Sequence, residues 1–319
     1  MKKITVIAIV AFIILVSCGP KQEGPQALNY RTGSEGLVIR FPQGFPQQIY
    51  ENDIDVRVPI EIENRGAFPQ FEELGEFTGF IWVGGFDPNI MQGLFEGGDI
   101  RKQLNPEELE GKSPINLQGG VTLENLMISV GDLPQGTAVY EPNLVFTTTY
   151  LYKSIASPVV CVDPQPRSIN VKDKVCSLPE SRKVYSVAAQ GGPVGVANVE
   201  QIATSEQMIF RFDIQNFGTG NVIERDLVSQ DPNEGYDWRE LNRVYIDDVR
   251  LGDATVDKCR PDLGEAVELY NGVGTFQCTV SIGSLASNQA YTTPLTVTLV
   301  YGYKNTEFRN IKILEAIET

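Results

Sequence analysis

Asp53-Ile-Asp-Val-Arg-Val-Pro-Ile-Glu-Ile-Glu-Asn-Arg-Gly66 alternates apolar and polar residues. Ile54, Val56, Val58, Ile60 and Ile62 share one face, the period-two pattern of a half-buried strand. The chain repeats this pattern further on. Met208, Phe210, Phe212 and Ile214 alternate before Asn216-Phe217-Gly218, and Asn216 follows Asn64 by 152 residues. Leu117-Gln-Gly-Gly-Val121 falls on Leu269-Tyr-Asn-Gly-Val273, and Ile128-Ser-Val-Gly-Asp-Leu133 on Val280-Ser-Ile-Gly-Ser-Leu285, both at that same offset of 152. Tyr150-Leu-Tyr-Lys153 then matches Tyr301-Gly-Tyr-Lys304 at 151. Four matches in one order with nearly one offset indicate an internal duplication. The expected organisation is two homologous domains, residues 36–164 and 191–319, joined by a connecting segment, 165–190.

Each domain reads as all-β. Leu144–Tyr152, Thr275–Ile282 and Leu295–Tyr303 are rich in Val, Ile, Thr, Phe and Tyr, and Gly, Pro, Asn and Asp punctuate the chain at short intervals. Long helical periodicity is absent. Only Pro106–Glu110, with Asn105 as N-cap, suggests a helical turn. Domains of this size with such strand spacing predict two tandem immunoglobulin-like β-sandwiches. The glycine of each Asn-x-Gly suits a turn that needs a positive φ. Tyr152 and Tyr303 either anchor a hydroxyl to nearby backbone, as in the tyrosine corner of sandwiches, or stand at alternate strand positions with one face exposed.

The alternating strand that closes in Glu63-Asn64-Arg65-Gly66 or Gln215-Asn216-Phe217-Gly218, with the late Tyr-x-Tyr-Lys strand, resembles the CARDB-like group of immunoglobulin-like modules in prokaryotic surface proteins. That resemblance implies adhesion, spacing or binding at a cell surface and carries no catalytic residues over. Residues 1–17 point to the same place. Lys2 and Lys3 precede an apolar run that ends in Leu15-Val16-Ser17-Cys18. The run is shorter than the roughly 20 residues of a membrane-spanning helix and about the length of a signal-peptide core. The ending resembles the lipobox of prokaryotic lipoproteins; the competing reading is an ordinary secretory signal with a chance cysteine. The resemblance implies cleavage before Cys18, a diacylglyceryl group on its sulfur, and anchorage to the outer face of a cell membrane, periplasmic or cell-surface. Residues 18–35 then form a lipidated polar tether.

Composition narrows the chemistry. The net charge is −15, which disfavours nucleic acid as a partner. The chain contains no histidine, so Ser-His-Asp and Cys-His nucleophiles and imidazole metal sites are excluded. No catalytic residue, cofactor or metal site is expected. Cys161, Cys176, Cys259 and Cys278 read as two disulfides in an exported chain. Three pairings exist, and the local one, Cys161–Cys176 with Cys259–Cys278, keeps each bond within one domain; each such loop adds about 3 kcal/mol.

The segment from Ala67 to Asp99 holds seven aromatic residues among many glycines. Phe80, Trp82 and Phe86, with Tyr236 and Trp238 in the second copy, are candidate ligand-binding positions for a glycan or peptide. Against that, Phe80-Ile-Trp-Val83 also fits a core strand, the commoner fate of aromatics. Asp231-Pro-Asn-Glu-Gly-Tyr-Asp237 offers oxygen donors but lacks a full calcium loop, and such acidic clusters are usually solvated turns. Glu72, Glu73 and Glu76 read as a solvated loop. A carboxylate-based hydrolase is the weakest reading, since nothing marks two acids as a pair. The sequence favours a non-enzymatic surface lipoprotein with a structural, adhesive or protein-interaction role. Its partners would be the membrane, through the lipid, and a protein or cell-surface polymer.

Overall fold

The computed structural model describes residues 29–166, 174–178, 181–256, 258–284 and 289–316. The signal segment and Cys18 lie outside the described residues. The first half contains β1 (Leu37–Arg40), β2 (Gln48–Tyr50), β3 (Val56–Asn64), β4 (Gly79–Gly84) and β5 (Met91–Phe95). It continues with β6 (Arg101–Gln103), β7 (Val121–Val130), β8 (Val139–Tyr140), β9 (Asn143–Ala156) and β10 (Val159–Val162). The second half opens with β11 (Arg182–Ser186), β12 (Val194–Ala203), β13 (Gln207–Asn216), β14 (Asn221–Ile223) and β15 (Arg243–Leu251). It closes with β16 (Ala254–Thr255), β17 (Cys259–Arg260), β18 (Ala266–Glu268), β19 (Val273–Ser281), β20 (Tyr291–Asn310) and β21 (Lys312–Leu314).

The duplicated motifs fall on corresponding strands. β3 ends at Asn64 and β13 at Asn216; β7 starts at Val121 and β19 at Val273. The side sheet of the first half runs β1-β3-β7-β5, and that of the second runs β12-β13-β19-β17 with β11 added outside β12. Facing them is one nine-stranded sheet whose central path is β16-β15-β20-β9-β4-β6. The fold is an all-β sandwich in which this large sheet serves both halves.

The two halves therefore meet strand to strand. β9 and β20 pair antiparallel along fourteen residues of each, with Tyr150 opposite Tyr303 and Tyr152 opposite Tyr301. Directly opposed residues share a face, so all four tyrosines point the same way. Tyr150 meets β1 of one side sheet and Tyr301 meets β12 of the other, which places both side sheets on one face of the central sheet. The chain ends cross as well: β21 pairs with β2 and β8 of the first half, and β10 pairs with β20. The 165–190 segment is more than a connection, since β11 within it pairs with β12.

Alternation buries one side of each strand. Val58, Ile60 and Ile62 of β3 face Phe146, Tyr150 and Tyr152 across the first sandwich, all within one core. In the second, Phe212 and Phe276 stack with centroids 4.4 Å apart. Ile54 departs from the expected pattern. Asp55 takes φ 55°, the strand begins only at Val56, and Ile54 is left 75% exposed. Pro106–Glu110 is also not a helix. Asn105 Oδ1 accepts from the Glu107 N–H and the Leu109 N–H bonds the Pro106 carbonyl, closing a turn.

The tyrosine quartet fastens the seam. The Leu37 N–H donates to the Tyr150 oxygen at 3.1 Å, and the Val194 N–H to that of Tyr301 at 3.2 Å. Tyr152 donates to Asn64 Oδ1 at 3.1 Å, and Tyr303 to Asn216 Oδ1 at 3.1 Å. The same amide oxygens accept the N–H of Gly66 and of Gly218. These glycines correct the expectation of a left-handed turn, because neither has a positive φ. Each is required because the tyrosine hydroxyl occupies the space of a Cβ. Burial pushes all four hydroxyls above the usual tyrosine range, Tyr303 to about 12.

Candidate functional site

The aromatic positions expected to form a platform lie mostly inside the protein. Phe80 and Trp82 of β4 point away from the tyrosine core, yet Trp82 is 4% exposed and Phe80 is buried. The second half covers them. Trp82 Nε1 donates to Thr149 Oγ1 at 2.9 Å, and that hydroxyl donates to the Val228 carbonyl at 2.7 Å. Asn233 lies within 4 Å of where a Cβ on Gly84 would stand. The Arg101 guanidinium lies 5.5 Å from the Phe80 ring and 5.4 Å from that of Trp82. The long segment before β15 thus seals a sheet face against water, and these two aromatics are an internal contact. Phe86 is partly buried and packs against the same core.

Of the second-copy positions, Tyr236 lies beneath the Lys304 ammonium, 5.4 Å from its ring centre. Burial, with Asp231 and Glu240 nearby, pushes its hydroxyl up to about 12. Trp238 stays 69% exposed under the Arg239 guanidinium. The structure does not gather the five aromatics on an open surface.

The acidic loops have structural work. Asp231 accepts from the Asn233 N–H at 2.8 Å, and Asp237 caps the Trp238–Glu240 turn. Among the described residues no group of three or more Cys, Asp or Glu side chains is placed to hold a metal ion. Glu73 and Glu76 do not stand free in solvent: they flank Lys153 at 3.2 and 2.6 Å. Their hydrogen bonds raise the Lys153 pKa against the opposing effect of burial, whereas Lys304, its counterpart in the repeat, is lowered by burial. The cysteines pair locally, Cys161 with Cys176 and Cys259 with Cys278. The second bond joins directly opposed residues of β17 and β19. The first ties 176 to β10, a strand laid on β20, so it fastens the second half as much as the first.

A wide concavity lies elsewhere, at the far end of β20. It encloses about 800 Å³ between the Phe41–Gln47 turn, the chain entering β9 and the residues Phe308–Lys312. Phe41 and Phe45 line it and meet edge-on at 5.2 Å, with the core residue Phe146 behind Phe41 at 5.0 Å. The Arg309 guanidinium sits over Phe41 at 4.4 Å. Lys312 is neutralised by Glu141 at 2.7 Å. The turn is held by the Phe45 N–H on the Pro42 carbonyl and the Lys312 N–H on the Gln47 carbonyl. A signal for this site stands in the sequence, the doubled Phe41-Pro-Gln-Gly and Phe45-Pro-Gln-Gln. The other wall comes from residues more than 260 positions away, which no local pattern announces.

The fold and groove define a class, a doubled all-β sandwich with an open cleft at one end. No known protein family matches the sequence, and no curated protein matches it. Among solved structures, the C-terminal domain of the Streptococcus pyogenes antigen I/II-family protein AspA is similar at 9% identity. That match covers 88% of this chain and 98% of the other with a TM-score of 0.20, too low to bear on fold or function.

Proposed function

We propose that this protein is a non-enzymatic, membrane-anchored surface lipoprotein with a structural or recognition role. Cys18 carries the lipid and the polar residues after it form a tether shorter than the sequence suggests, since the Gly33 carbonyl accepts from the Gly191 N–H and Glu35 pairs with Arg65; the doubled sandwich is held off the outer face of the membrane. The observation that best supports a structural role is the shared central sheet. Two sandwiches joined by a fourteen-residue strand pair have no hinge at that junction, so loops on either half keep a fixed spacing. The two disulfides fit an oxidising compartment. Nucleic acid is not a partner for so acidic a chain.

The anchor is tested by Cys18→Ser in a host that processes lipoproteins. Wild-type protein should enter the detergent phase and incorporate labelled fatty acid, and the variant should be released in soluble form. A variant that stays with the membrane refutes the anchor. Stiffness is tested by limited proteolysis of the full chain without reductant. Cleavage should fall before residue 36 and leave both halves on one fragment; separate release of the halves would refute a single rigid unit.

A further inference from the structure

The groove at the end of β20 carries unengaged groups of complementary kinds. Phe308 is 55% exposed at its rim. Arg309 is stacked on Phe41, and its guanidinium has no ion pair or hydrogen bond among the described residues, Glu307 two positions along included. A guanidinium held over the Phe41 ring and without other partners among the described residues has N–H groups free for a carboxylate, which guanidinium meets through two parallel bonds. Since Lys312 is matched by Glu141, the groove keeps one uncompensated positive charge in a chain of net charge −15. Gln43, Gln47, Asn143 and Asn310 line the same space, and none of these side chains is hydrogen-bonded within the described residues. A primary amide both donates and accepts, which matches a ligand dense in hydroxyls.

We propose that this groove binds a carboxylate-bearing glycan, with Arg309 meeting a uronic acid carboxylate, Phe308 lying against a sugar ring and the four amides meeting hydroxyls. An extended peptide fits less well. Among the described residues β20 pairs only with β9 over 305–310, and no strand is laid on its other edge there. That edge carries Glu307 and Arg309, charges of the kind that resist strand addition. Phe308 and Arg309 alternate across the strand, so a ligand touching both must reach around the edge. An oligomer is therefore required. The site does not depend on the lipid anchor, and a chain released by Cys18→Ser should still bind.

The test is calorimetric titration of the full chain in detergent with tetragalacturonate, its methyl ester, monomeric galacturonate and tetraglutamate. Tetragalacturonate should bind, with the ester and the monomer each weaker by about tenfold or more, the worth of one charge-assisted bond. Arg309→Gln should reduce tetragalacturonate to the level of the ester and leave the ester unchanged. Phe308→Ala should weaken both. If Arg309→Gln melts more than a few degrees lower, Arg309→Lys replaces it, and the loss of the fork should still weaken the acid more than the ester. The proposal is overturned if tetragalacturonate does not bind, if the ester binds equally, or if neither substitution weakens binding. Tetraglutamate binding as tightly as the glycan would assign the groove to acidic peptides and overturn it too.

Discussion

Gly66→Ala is the sharpest perturbation of the seam. A Cβ there would stand inside the contact distance of the Tyr152 hydroxyl, 2.5 Å from the Gly191 carbonyl and 2.8 Å from that of Glu35. Tyr152 cannot yield. It is fully buried, with Tyr150 at 5.6 Å, Phe68 at 5.6 Å and Tyr301 at 6.2 Å around its ring. Displacing the hydroxyl breaks its bond to Asn64, at about 1–3 kcal/mol for the buried groups left unpaired. Overpacking adds about 1–3 kcal/mol, so the variant should lose roughly 3–5 kcal/mol of a total of about 5–15. Gly218→Ala should cost less, about 2–3 kcal/mol. Its Cβ meets the Tyr303 hydroxyl and the Pro193 side chain at 2.8 Å, and no carbonyl is among its three nearest atoms. Urea unfolding followed by circular dichroism, with disulfides intact, measures both. The double variant Gly218→Ala with Tyr303→Phe should recover most of the steric cost, whereas Tyr152→Phe should rescue Gly66→Ala only in part, since the Gly191 carbonyl remains. A left-handed turn would make the opposite demand, since asparagine tolerates positive φ. Gly218→Asn should therefore be as damaging as Gly218→Ala. A cost below about 0.5 kcal/mol for either alanine, or tolerance of Gly218→Asn, would refute the hydroxyl-seat reasoning.

Two further outcomes follow from burial. Trp82→Ala should destabilise by about 3–5 kcal/mol, because a buried ring and its bond to Thr149 are lost, while Trp238→Ala should stay within about 0.5 kcal/mol; equal effects in thermal melts would contradict the internal placement of Trp82. The raised pKa values of the four seam tyrosines mean that the folded state holds their protons more tightly than the unfolded one. Their contribution is complete below the unfolded value of about 10 and declines as pH rises from there towards the raised folded values, about 12 for Tyr303. Absorbance at about 295 nm should therefore show these four phenols ionising only together with loss of the circular dichroism signal; full ionisation of all 12 tyrosines in a still-folded protein would refute it.

Much of the side-sheet architecture was legible because a half-buried strand writes its period into the residues. β3 and β13 could be placed from alternation, and their common offset showed the duplication. Ile54 leaves the buried face because one left-handed residue, Asp55, ends the alternation, although the same period continues across it in the sequence. The glycines after Asn64 and Asn216 stand out in the sequence, but a seat for a distant hydroxyl and a turn with positive φ both demand glycine, and only the structure separates the two. Phe80 and Trp82 illustrate another limit. Continuous apolar character in β4 marks both faces as buried or one as a binding surface; which holds depends on whether residues 224–240 return to cover it.

Sequence alone determined that this chain is acidic, histidine-free and built from two copies of an alternating β pattern, because composition and periodicity are local properties. It also favoured the local cysteine pairing among three, since that one keeps each bond within one repeat. Only the tertiary structure decided that the copies share one sheet. Strand alternation specifies a face to bury but never the neighbour across the hydrogen-bonded edge, and β9 could satisfy that edge with any strand of matching length. The pairing of β9 with β20 settled it, and with it the tyrosine seam, the burial of Trp82 and the groove in which Phe41 and Arg309 meet.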